Sequence, residues 1–252
     1  MSSVEDVTAV VVNYRTLEHT RTCLDTLRTA YPALEVLAID NGSADASRDH
    51  LVERAAVDPH LSVVLNETNV FHGPALHQGM QAVTTRLVLL LDSDVIVDRG
   101  GWLEPMVARF DADLLLYALG HRGWTDRFGY APISRHQPHT AYIHPFAGVI
   151  DREKYAALPP FVHHGAPLYR NMWGARRAGY HLEHAHVSDH VTHVGKVTAS
   201  AHGYGYDRRL ETQWQLHRLE NALWRRGARL VGRRLVPPRV EPSRTPGAPP
   251  AA

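Results

Sequence analysis

The chain has 252 residues, with 27 basic and 26 acidic side chains and a formal net charge of +1. That balance excludes the basic footprint of a dedicated nucleic-acid binder and the acidic excess of a solvating chain. A single cysteine excludes a disulfide framework and any multi-cysteine metal site, while 44% hydrophobic residues are enough for a large core.

The first 110 residues alternate between strand-like and helix-like runs. Residues 7–12 form a β-branched run, and 20–29 place Cys23, Leu24 and Leu27 on one helical face. A second apolar run, 34–39, ends in Asp40-Asn41-Gly42-Ser43, a turn signal. A helix over 46–56, a strand over 61–65 and a helix over 74–83 follow, the last with Pro74 in its first turn. A fourth strand, 86–91, runs into Asp92-Ser93-Asp94, and 101–110 is amphipathic. Apolar strands alternating with helices predict a mostly parallel sheet covered on both faces. Ligands of such sheets sit at the carboxyl ends of the strands, which singles out Asn13, Asp40, Asn69, Asp92 and Asp94.

Beyond residue 110 the pattern predicts strands over 114–119, 141–150 and 180–187 and a helix over 166–178. A long helix follows over 210–230, with Leu216, Leu219, Leu223 and Trp224 near one face. From Pro237 the chain is proline-rich and reads as a disordered tail. No apolar run is long enough to span a membrane and no secretory signal is visible, so a cytoplasmic protein is expected. Scarce lysine and abundant arginine point to a bacterial source rich in G and C.

Two carboxylates two residues apart at a strand end can converge on one hard divalent cation, Mg²⁺ or Mn²⁺. Such a cation neutralises charge building on a departing diphosphate. A polar turn capping the strand is the plainer reading of the same residues.

Several ordered pieces together resemble the inverting family 2 glycosyltransferases of the GT-A fold. They are Val10-Val11-Val12-Asn13-Tyr14-Arg15, Ile39-Asp40-Asn41-Gly42-Ser43, Asn69, Leu91-Asp92-Ser93-Asp94 and Gly101-Trp102-Leu103-Glu104. The resemblance covers about residues 6–200. It implies that Val11, Asn13 and Arg15 line the nucleotide, that Asp40 contacts base or ribose, and that Asn69, His77 and Ser93 belong to the donor site. It implies metal ligation by Asp92 and Asp94, joined by His193.

The chain departs from the family in two places. His77 stands where an asparagine is usual. Pro167 and Leu168 stand where an acidic pair should supply the general base, although Ala175-Arg-Arg-Ala-Gly-Tyr180 is kept. A base needs a pKa near the working pH, which histidine has unaided. His163 and His164, in the same loop, are therefore the first candidates for the catalytic role, and Asp189 and His190 the next.

Twelve of the 18 histidines lie between His121 and His202. His184 and His186 share a face of a predicted strand and could join His190 or His193 in a zinc site, but a polar strand face is the simpler expectation. His136, His139 and His144 fall in a loop-like stretch that either lines an acceptor site or is plain surface. Arg225, Arg226, Arg229, Arg233 and Arg234 mark the C-terminal helix. It either packs on the domain with a solvated basic face or makes peripheral contact with an anionic membrane.

The resulting expectation is an α/β fold. A single GT-A domain spans residues 1–205, with a mostly parallel Rossmann-like sheet and helices on both faces. Its nucleotide and metal half is 1–110 and its acceptor half 111–205, followed by a helical extension over 206–236 and a tail over 237–252. The expected activity is metal-dependent, hexosyltransferase-like transfer of sugar from a nucleotide-diphosphate sugar, UDP favoured, with Mn²⁺ or Mg²⁺ as cofactor. An inverting displacement with a non-standard base is expected. The acceptor is open among small molecules, glycans, lipid-linked sugars and peptides. A retaining enzyme and a non-catalytic nucleotide-sugar or partner-binding protein are the alternatives. Nucleotidyl transfer would need a glycine-rich loop after the first strand, where Asn13-Tyr14-Arg15-Thr16 stands instead.

Overall fold

The β-branched and leucine-rich runs become adjacent strands because each is apolar on both faces and must be covered twice. The computed structural model describes residues 3–162, 166–195 and 208–238. The first half contains β1 (Val7–Asn13), α1 (Leu17–Ala30), β2 (Glu35–Asp40), α2 (Ser47–Ala55), β3 (Leu61–Leu65), α3 (His72–Ala82) and β4 (Leu87–Asp92). These four strands are parallel, in the spatial order β3-β2-β1-β4.

Alternate residues of one strand enter opposite layers. Val7, Ala9 and Val11 join Leu87, Leu89 and Leu91 in a core under α1, whose Cys23, Leu24 and Leu27 face it. Val10, Val88 and Leu90 join the second core with Ala75, Leu76 and Met80 of α3. Complete burial of each such leucine contributes about 2 kcal/mol. The register then lines up the polar strand ends, Val12 opposite Asp92 and Asn13 opposite Asp40.

The second half adds β5 (Val95–Val97), α4 (Leu103–Ala112), β6 (Leu116–Asp126), β7 (His139–Asp151), α5 (Arg152–Tyr155) and α6 (Tyr169–Arg177). It ends in β8 (His181–His184), β9 (Val191–His193) and α7 (Arg208–Leu230). The full sheet is β3-β2-β1-β4-β7-β6-β8, and β7 runs antiparallel to both β4 and β6. The sheet is thus mixed, with its parallel part where the sequence placed it. Strands β5 and β9 pair in a separate antiparallel ribbon.

Three expectations change. His139, placed in the loop-like stretch, already opens β7, while His144 falls inside the strand expected over 141–150 and faces inward from it. The expected strand over 180–187 stops at His184 and gives way to a 3-10 turn, Val187–Asp189. Helix α7 packs through His217 and Asn221, while Leu216, Leu219 and Leu223 face outward. The expected tail lies almost wholly outside the described residues.

Candidate active site

The carboxyl ends of β1 and β2 are joined by a polar network with no surface exposure at its centre. Asn13 Nδ2 donates to Asp40 Oδ1 at 2.8 Å and to Ser43 Oγ at 3.1 Å. Asn13 Oδ1 accepts from the hydroxyls of Thr16 and Thr20 at 3.0 and 2.8 Å. Asp40 Oδ2 accepts from the Ser43 amide at 3.1 Å, and Arg48 stands 3.8 Å away. Gly42 makes this turn possible: its φ is +75°, and a Cβ there would lie 2.4 Å from the Thr68 carbonyl carbon. Buried polar groups that satisfy one another in this way fix a loop's shape.

Two non-glycine residues with positive φ flank the network, Arg15 at 54° and Phe71 at 69°. Strain of this kind is found at ligand sites, where neighbours hold the backbone in place. Ser43 Oγ accepts from the Arg15 amide at 2.9 Å, and Asn69 Oδ1 accepts from the Phe71 amide at 2.7 Å.

Across the sheet end, Asp92, Asp94 and His193 each offer one donor atom, all within 4.8 Å of one another. His193 Nε2 lies 3.2 Å from Asp94 Oδ1 and 3.6 Å from Asp92 Oδ2. The β5–β9 ribbon makes this meeting, because its register sets Val95 opposite His193. Phe146 of β7 stacks on the His193 imidazole with centroids 4.6 Å apart and planes 13° from parallel. Burial works against charge on His193, but the Asp94 hydrogen bond and the two carboxylates outweigh it and hold its pKa above the ordinary value. Burial raises the Asp92 pKa; His72 and His193 pull it down, and Asp94 adds to the rise. Two carboxylate oxygens and an imidazole, all partly open to solvent, form a donor set that suits a divalent cation with sites left for substrate oxygens.

Sequence reasoning missed His72. It opens α3 and sets Nε2 3.4 Å from Asp92 Oδ1, on the other side of that carboxylate from His193. No spacing rule connects residues 72 and 92; only the sheet order does.

The remaining candidates fall in different places. Ser93 is buried and exchanges a hydrogen bond with Thr16 at 3.1 Å, tying the carboxylate side to the Asn13 network. Val11 is fully buried, so its side chain is core. Asn69 accepts from Asn41 Nδ2 at 2.9 Å. His77 points to Tyr155, with Nδ1 2.6 Å from the hydroxyl, and burial lowers its pKa. Asp189 is exposed at the end of the 3-10 turn. His163 and His164 lie outside the described residues, although their neighbour Val162 packs against α3, where a Cβ on Gly73 would stand 1.6 Å from the Val162 carbonyl oxygen. Leu168, one of the positions lacking an acid, is fully buried.

Among the described residues, His184 and His186 do not gather with His190 or His193 into a ligand cluster. The other group with ligand-like spacing, Asp113, His181 and Glu183, already holds a cation, since Arg109 lies 2.8 Å from both acids.

The model of glycosyl transferase family 2 matches residues 8–173, spanning the Asn13 network and the carboxylate pair and ending within α6. The chain belongs to that family. A Bacillus subtilis protein named as a glycosyltransferase, EpsH, is 33% identical over 100 residues, which is 39% of this chain and 27% of that protein. A Mycobacterium tuberculosis protein with a glycosyltransferase name is 32% identical over 103 residues, 39% of this chain and 30% of its own length. The family member described here thus aligns with less than a third of either relative. The mannosyltransferase PcManGT of Pyrobaculum calidifontis, solved with GDP-Man and Mn²⁺, superposes with a TM-score of 0.58 at 20% identity, covering 71% of this chain and 54% of its own. GalNAc-T7, solved with UDP, GalNAc and Mn²⁺, gives 0.55 at 16% identity, over 70% and 41%. These likenesses establish the GT-A fold of this family 2 chain.

Proposed function

We propose that the protein is a metal-dependent glycosyltransferase that moves a sugar from a nucleotide-diphosphate sugar to an acceptor. The observation that carries this reading is the convergence of Asp92, Asp94 and His193 beside the Asn13–Asp40 loop at the strand ends. Asp92, Asp94 and His193 would hold the cation, and an imidazole among oxygen donors favours Mn²⁺ over Mg²⁺. When bound, the cation supplies positive charge for the departing diphosphate. Solved neighbours that hold GDP-Man or UDP with Mn²⁺ on the same fold support a nucleotide-sugar donor. UDP remains our favoured nucleotide.

The chain's own residues would divide the work. Asn13 and Asp40 hold the 40–43 turn in place, so that its backbone and Arg15 meet the nucleoside and phosphates. Phe146 keeps the His193 ring from rotating, and His72 holds the outer oxygen of Asp92. With Leu168 buried, no carboxylate stands at the family's base position, and we assign proton removal from the acceptor to His163 or His164. Their neighbour Val162 lies against the N-terminus of α3, the helix that aims His72 at Asp92. The displacement would then be inverting.

Titrating a panel of nucleotide sugars with and without Mn²⁺, and following slow donor hydrolysis, tests the proposal. Mn²⁺-dependent binding of at least one donor is expected; no binding of any donor defeats it. Donor binding without hydrolysis or transfer would instead favour a non-catalytic nucleotide-sugar-binding protein. Changing His163 and His164 to alanine separately, at matched donor occupancy, tests the base: unchanged turnover in both would remove that loop from the mechanism.

A further inference from the structure

Helix α7 has two unlike faces. Inward, His217 Nδ1 meets Asp126 Oδ2 at 2.7 Å, Asn221 Oδ1 accepts from Gln137 Nε2 at 3.3 Å, and the His217 ring lies 4.6 Å from that of Tyr130. Outward, Leu216, Leu219, Leu223 and Leu230 are 46, 59, 62 and 79% exposed. Their spacings of three, four and seven place them on one stripe. No described helix is long and apolar enough to cross a membrane, so the stripe is a surface feature.

The charges carried by α7 and the residues after it decide what the stripe fits, with Arg218, Arg225 and Arg229 on the flank that holds His217 and Asn221 and Arg226 within the stripe. Between residues 212 and 238 there are six arginines, Arg218, Arg225, Arg226, Arg229, Arg233 and Arg234, and the sole acid is Glu220. Glu220 meets Arg127 of the β6–β7 connection at 3.1 Å. A second copy of the helix would bring two arginine sets together. Arg226 also falls in the stripe where a coiled-coil seam needs an apolar residue. An anionic bilayer matches both features, because leucines enter the acyl boundary while arginines reach headgroup phosphates. Beside the stripe, Leu223, Trp224, Val231 and Leu235 line a groove of about 760 Å³ with Arg233 and Arg234 on its wall, an apolar slot with a basic edge.

We propose that α7 docks the protein on an anionic lipid surface through its leucine stripe, with the arginines on phosphate headgroups. The docking does not depend on the donor site or on the proposed activity. Flotation of the full chain with phosphatidylcholine vesicles, with and without phosphatidylglycerol, tests it. Binding should be about tenfold or more stronger with phosphatidylglycerol and should weaken as salt is raised. Leu219→Glu with Leu223→Glu should abolish vesicle binding while leaving the melting temperature unchanged, since both side chains already face solvent. Replacing Arg225, Arg226 and Arg229 with glutamate should remove the preference for phosphatidylglycerol. Equal binding to both vesicle types, or binding indifferent to the leucine changes, would overturn the proposal. So would a solution dimer that Leu223→Glu dissolves in a protein that ignores vesicles.

Discussion

The two sides of the strand-end cleft use the same residue types for opposite purposes. At the ends of β1 and β2, Asn13, Asp40, Ser43, Thr16 and Thr20 direct their polar atoms at one another and are shut off from water. At the end of β4, Asp92 and Asp94 lie close together, partly exposed, with histidines as their partners. Saturated polar groups stabilise a shape, whereas like charges held together are a reservoir for a ligand that neutralises them. The first side is therefore scaffold and the second the place where chemistry is expected.

Mutations should separate the two. Asp94→Ala should give the largest effect, loss of Mn²⁺-dependent donor binding by more than about 100-fold, with the melting temperature changed by only a few degrees. Calorimetric titration beside thermal melting checks both halves of that statement. Asn13→Ala should do the reverse. It removes the acceptor shared by the hydroxyls of Thr16 and Thr20 and the donor to one oxygen of a buried carboxylate, so denaturant unfolding should show a loss of about 2–4 kcal/mol.

His144 tests the ground beyond the β4 side, on the neighbouring strand β7. Burial, then the charges of His121 and His193, push its pKa down from 6.5 to about 4. On acidification the unfolded chain takes up the proton first, so the stability this residue contributes is present above pH 6.5 and is lost as pH falls toward about 4. The loss reaches about 3 kcal/mol at most. His144→Gln should flatten the slope of unfolding free energy against pH in that window, and the difference between the two proteins isolates this side chain. The smallest effect is expected for His72→Ala, which frees one oxygen of Asp92 and should weaken Mn²⁺ binding up to about tenfold. An effect as large as that of Asp94→Ala would make His72 a ligand and redraw the metal side of the comparison.

The parallel half of the fold was legible because its strands are unbroken apolar runs, and the ends of those runs delivered Asn13, Asp40, Asp92 and Asp94. His193 came from the family resemblance alone. Its route to the carboxylates, through two three-residue strands far apart in the chain, leaves no periodic trace. The insertion of antiparallel β7 next to β4 is equally silent in sequence, since burial on both faces looks the same in either direction. Which face of α7 packs on the domain stayed open in the sequence for a different reason. Its packing face is polar and aromatic, so the leucine pattern pointed to the outside of the molecule.

The β5–β9 ribbon has a consequence for how the protein comes into being. Val95 and His193 pair only after the intervening β6, β7 and β8 have been made and folded back. A growing chain that has released β4 thus carries Asp92 and Asp94 with His72 but without His193. Closing so long a loop is slow and entropically costly, which makes the ribbon one of the last contacts to form. The three-residue set at the end of β4 is therefore a late-assembled feature, and its completion reports that both halves of the sheet are in place.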